Sequence, residues 1–180
     1  NHFGVQVKLF PAGWWILNLA LTVMWIAGVI SAMNSLDNTD GVAGGTSAIA
    51  AAAVFWIAWR NYGLVDDPGW QQTQKIVSYL SAAVLGGCLG FLRYNLAPAR
   101  VYLGNNGSFL LGFLLAALTV VGGWSVADPL RSFLVQCSIL AVPLFDITVT
   151  TVLRWRRGVV RTVREAIVHC GHDHVAHRLR

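Results

Sequence analysis

Between Trp14 and Arg154 the chain alternates apolar stretches of membrane-spanning length with short polar clusters. A helix needs about 20 largely apolar residues to cross the hydrocarbon core of a bilayer. Five segments meet or approach that length, at 14–33, 44–59, 76–94, 107–127 and 132–153. Arg93 marks the end of the third, and Asp146 is the one charge placed inside a span. The second is short, but its Gly44, Gly45 and alanine run let it pack closely against neighbours. An open sheet leaves its backbone groups unsatisfied in lipid, so these stretches predict helices. The expectation is an all-α, polytopic membrane protein with about five transmembrane helices in a single domain over 1–180.

Composition agrees. Of the 180 residues, 56% are hydrophobic and 12% charged, against about 25% charged in an ordinary soluble domain. No charged region followed by a short apolar stretch and a cleavage site marks a signal peptide. The chain opens at Asn1 rather than Met and reads as a piece of a longer protein. The cysteines Cys88, Cys137 and Cys170 make no disulfide framework and are expected as free thiols.

Charge sets the orientation. Arg154, Arg156, Arg157, Arg161, Arg164, Arg178 and Arg180 crowd the tail at 154–180. Such a run suits nucleic acid too, but beside a membrane span the positive-inside rule accounts for it, and no nucleic-acid partner is expected. With the tail inside, five spans place 34–43 and 95–106 on the cytoplasmic side with it, and 1–13, 60–75 and 128–131 outside. Arg93 and Arg100 then join the tail arginines, while Lys8, Arg60, Lys75 and Arg131 face out.

All three polar clusters fall on that cytoplasmic face. The first is Asn34-Ser35-Leu36-Asp37-Asn38-Thr39-Asp40-Gly41. Asp37 and Asp40 share a face on a helical turn, and two carboxylates with an amide can bind a hard cation or position a phosphate. The same residues also suit a plain turn, and spacing alone does not separate the two. The second runs from Gly90 to Ser108, where Arg93 and Arg100 can meet phosphates, Tyr102 can stack on a base, and Gly104 and Gly107 permit close backbone approach. The third, His172, His174 and His177 around Asp173, suits metal or phosphate but lacks the partners of a zinc site. Asp146, three residues after Pro143, is an intramembrane acid; pairing with Arg154 or Arg157 gives it a structural reading. Asp66-Asp67 precede Pro68-Gly69 in a loop expected outside.

Together these clusters resemble the polyprenyl-phosphate N-acetylhexosamine-1-phosphate transferases, which include the phospho-MurNAc-pentapeptide translocase. The family's N-x-x-D-G-x-D-G motif is matched by Asn34, Asp37, Asp40 and Gly41, with Asn38 for the first Gly. Its G-F-L-x-x-N-x-x-P-A-x-x-F-M-G-D-x-G-S motif aligns from Gly90 to Ser108 without a gap. Its P-x-x-D segment matches Pro143 and Asp146, and its D-x-x-H-x-H-H-R-L segment resembles His174-Val175-Ala176-His177-Arg178-Leu179.

The resemblance implies transfer of a sugar-1-phosphate from a UDP-sugar to polyprenyl phosphate, with release of UMP, at the cytoplasmic face of the inner membrane. It implies Mg2+, or Mn2+ in its place, and is compatible with a homodimer. By position, Asp37, Asp40, His174 and His177 take catalytic roles, and Asn34, Asn95, Tyr102 and Arg178 contact substrate. Asp40 and Asn105 stand at the metal, where the family has an aspartate in place of Asn105. The middle histidine of the last motif is Ala176, and the family's paired aspartates lie upstream of this region, so the chain alone is expected to be inactive. Two other readings are a catalytically dead homologue that binds lipid or partners, favoured by Asn105 and Ala176, and a small transporter, which predicts more buried charge than Asp146.

Overall fold

The computed structural model describes residues 14–64, 66–124 and 128–156. Its regular elements are six helices: α1 (Trp15–Leu36), α2 (Val42–Asn61), α3 (Pro68–Asn95), α4 (Gly104–Val121), α5 (Pro129–Ile139) and α6 (Ala141–Arg156). Helices α1 to α4 are each long and apolar enough to cross a membrane, and α5 with α6 makes a fifth span if the bent pair is one. This is an all-α, multi-pass membrane protein.

Small residues hold the bundle together. Along α2, Ala43, Ser47, Ala50, Ala51, Val54 and Ala58 form one buried stripe, and α3 packs against it. A Cβ on Gly44 would lie 3.3 Å from Leu92 Cδ2 and Phe91 Cδ1 of α3. The α1–α4 contact is closer still, since a Cβ on Gly112 would come within 2.7 Å of Ile30 Cα. Such backbone approach is the usual basis of helix association in lipid, where the hydrophobic effect offers little. Outward, Ile16, Met24, Ile49, Leu80 and Phe145 are exposed, as the lipid face of a membrane helix requires.

Two segments depart from the expected spans. The third was expected at 76–94 with 60–75 as an outer loop, but α3 begins at Pro68. Asp67 caps it, accepting from Trp70 N–H at 2.7 Å, and Pro68 fills a first-turn position where no N–H is needed. The polar run Gln71–Lys75 therefore continues the helix beyond its apolar stretch. This also gives Asp67 a capping task at the end of α3 opposite Asn95. The fifth segment is not one helix: α5 and α6 meet at 76° with Leu140 between them. Asp128 and Pro129 start α5 in the same way that Asp67 and Pro68 start α3.

This up-and-down order brings the end of α1, the start of α2, the end of α3 and the start of α4 to one end of the bundle. The polar connections 37–41 and 96–103 meet there.

Candidate active site

The α1–α2 turn depends on Gly41, whose φ of +77° belongs to the left-handed region that glycine enters without strain. The α3–α4 connection leaves α3 through an extended Leu96 and enters α4 through Gly104, at φ +64°. Between the two lies a cleft of about 220 Å³. Asn34, Asp37, Asn38, Thr39 and Asp40 line one side, and Asn95, Tyr102, Gly104 and Asn105 line the other.

Hydrogen bonds lock the walls to each other. Asn95 is only 4% exposed; its Oδ1 accepts from Gly41 N–H at 3.0 Å and its Nδ2 donates to the Val101 carbonyl at 2.9 Å. Asp40 Oδ2 accepts from Ala99 N–H at 3.0 Å, which leaves Oδ1 for another partner. Asn34 Oδ1 accepts from Ser108 Oγ at 3.0 Å and so ties α1 to α4. Asn38 donates to the Ser35 carbonyl within the last turn of α1. Tyr102 is 72% exposed at the rim.

The electrostatics of the cleft are mixed by design of its parts. Two carboxylates and four asparagine side chains supply oxygen acceptors on the walls. The N-terminal end of α4, at Gly104 and Asn105, borders the same space, and N–H groups at a helix start favour anions. A phosphate with its counter-cation suits both. Among the described residues no three His, Cys, Asp or Glu side chains gather to enclose a metal. Two carboxylates with amide oxygens do fit Mg2+, which keeps its waters and is commonly held by one or two carboxylates together with substrate phosphates.

Of the residues singled out in the sequence, Asn34, Asp37, Asp40, Asn95, Tyr102 and Asn105 come together around this cleft. Arg93 and Arg100 do not line it; both are exposed. His174, His177 and Arg178 lie outside the described residues. Ser35 and Thr39 carried no signal of their own, being small polar residues between stronger ones. Asp146 Oδ2 lies 3.5 Å from Ser35 Oγ, a partner 111 positions away that no spacing pattern reveals.

Comparison with known proteins shows which family the chain is similar to. The profile of glycosyl transferase family 4 matches residues 2–123, which contain both walls of the cleft. A probable undecaprenyl-phosphate N-acetylglucosaminyl 1-phosphate transferase of Bacillus subtilis is 32% identical over 145 residues, 81% of this chain and 37% of that protein. A decaprenyl-phosphate N-acetylglucosaminephosphotransferase of Mycobacterium tuberculosis is 33% identical over 153 residues, 79% of this chain and 36% of the relative. A phospho-N-acetylmuramoyl-pentapeptide-transferase of Desulforudis audaxviator is 41% identical over 120 residues, 67% of this chain and 31% of the relative. The chain thus spans about a third of the length of these relatives. No solved structure matches it. With more than half its length matched by the profile and both motif-bearing loops inside the match, the chain belongs to glycosyl transferase family 4.

Proposed function

We propose that this chain supplies one part of an active site that moves a sugar-1-phosphate, most readily N-acetylhexosamine-1-phosphate, from a UDP-sugar to a polyprenyl phosphate. The observation that carries the reading is the cleft, where two loops some sixty positions apart bring Asp37, Asp40, Asn95, Tyr102 and Asn105 to one space. The names of the similar proteins support the same class of transfer.

In this reading the lipid phosphate oxygen attacks the β-phosphorus of the UDP-sugar. The bond from that phosphorus to the bridging oxygen breaks, and the oxygen leaves with UMP. Tyr102, exposed at the rim, offers its ring to the uracil, and the start of α4 receives the diphosphate. Asp40 and Asn105 would hold a divalent cation, Mg2+ or Mn2+, which would supply positive charge to the diphosphate and the departing UMP. Asp37 faces the reacting phosphates from the first wall. His174 and His177 take the catalytic roles, and Arg178 the substrate contact, that the resemblance gives them. The arginine bias supports a cleft that opens at the cytoplasmic face of the inner membrane. Exposed apolar helix faces leave room for a second copy in a homodimer.

Binding tests this separately from turnover. The complete reading frame that encodes this chain, purified in detergent, should bind UDP-GlcNAc in the presence of Mg2+. Tyr102→Phe should keep that binding and Tyr102→Ala should weaken it. A protein that binds no UDP-sugar with Mg2+ present fits instead the inactive homologue, for which Asn105 is the motivating feature.

A further inference from the structure

Asp146 sits half-buried in α6, within the bent pair of membrane-spanning character. A polar side chain within a membrane span calls for a hydrogen-bond partner. Its Oδ2 lies 3.5 Å from Ser35 Oγ, at the outer limit of a hydrogen bond.

What Ser35 does with its hydroxyl sets it apart. Thr22, Thr73, Ser78, Ser81, Ser138 and Thr148 each return their hydroxyl to the carbonyl four residues earlier in the same helix. That is the default for serine and threonine in a helix. Ser35 instead turns to another helix, and Ser108 shares its hydroxyl between Asn34 of α1 and the Asn105 carbonyl of its own helix. Both stand beside residues that line the cleft. Ser35 follows Asn34, and its own carbonyl accepts from Asn38; Asn34 and Asn38 line the cleft.

The break in the last span places the acid. With α5 and α6 bent by 76° and Leu140 and Pro143 buried at the bend, α6 packs along α1. Asp146 thereby comes to the last turn of α1, and it is not among the residues lining the cleft.

We infer that Asp146 is a positioning residue. It fixes the end of α1 through Ser35, and so holds Asn34 and Asn38 in the wall of the cleft. The inference rests on the cleft being the active site of the transferase.

The test uses the complete protein in membranes. Rates of UMP exchange into UDP-GlcNAc are measured for Asp146→Asn, Asp146→Ala, Ser35→Ala and the double variant Ser35→Ala/Asp146→Ala. Hydrogen exchange over residues 34–41 is followed in the same set. Loss of a hydrogen bond to a carboxylate predicts about a tenfold fall in kcat/KM for each single alanine variant. The double variant should fall no further, and Asp146→Asn, which can still accept, should stay within about threefold. Exchange of the 34–41 amides should quicken in both alanine variants. Multiplying effects in the double variant, or an Asp146→Asn as impaired as Asp146→Ala, would overturn the inference. If the unsubstituted protein exchanges no UMP, the transferase reading fails by itself, and hydrogen exchange decides this one: 34–41 as protected in Asp146→Ala as in the parent overturns it.

Discussion

The side-chain amide of Asn95 bridges the two loops of the cleft, accepting from Gly41 N–H at 3.0 Å and donating to the Val101 carbonyl at 2.9 Å. Asp40 adds a second link by accepting from Ala99 N–H. Two residues that the sequence marks for chemistry thus also build the space in which that chemistry would occur. Asn95 uses both ends of its amide in the task.

Replacing Asn95 by Ala should therefore cost stability as well as function. It strands a backbone N–H and a carbonyl at a position almost shielded from solvent, a loss of about 1–3 kcal/mol. Asn95→Asp keeps the acceptor and loses the donor, and should fall between. Thermal unfolding in detergent, read beside UDP-sugar binding, checks the order.

At Asp40 the two tasks can be separated. Asp40→Asn still offers an oxygen to Ala99 N–H, so the fold should hold while the charge is gone. Asp40→Ala loses both, and should unfold earlier by about 1–3 kcal/mol. Comparing unfolding midpoints with turnover tells the loop link from the charge.

The α1–α4 contact predicts a sharp contrast between glycines. Gly112→Ala would drive a Cβ against Ile30 backbone, and should destabilise by about 1–3 kcal/mol. Gly86→Ala meets nothing within 4 Å and should be neutral or mildly stabilising. Unfolding of the two variants under identical detergent conditions tests this.

The apolar blocks made the helices legible, because burial in lipid leaves so few alternatives for a backbone. Hydropathy does not register direction, so the 76° bend passed unseen within a run whose residues stay apolar on both sides of Leu140. It also undercounted α3, where Gln71 to Lys75 read as loop although Asp67-Pro68 is a helix-start signal. The cleft was legible because its residues are polar, clustered in sequence and placed on one membrane face by the count of spans. The Ser35–Asp146 contact was not, since it depends on how α6 lies against α1.

Asn105 bears on the proposed cation. An amide oxygen coordinates a divalent ion without contributing charge. Asn105→Asp should lower the Mg2+ concentration for half-maximal activity by on the order of tenfold, from one added opposite charge near the ion. A Mg2+ titration of exchange activity reads it directly, and an unchanged midpoint would remove Asn105 from the metal.

Sugar-1-phosphate transfer at the cleft is the proposed function. Its most direct test is exchange of labelled UMP into UDP-GlcNAc by membranes carrying the complete reading frame, with polyprenyl phosphate and Mg2+ supplied, and with Asp40→Asn alongside. The expected result is exchange in the parent and its loss in Asp40→Asn while that variant remains folded. Exchange that survives Asp40→Asn, or none with any UDP-sugar in either the parent or Asn105→Asp, would contradict it.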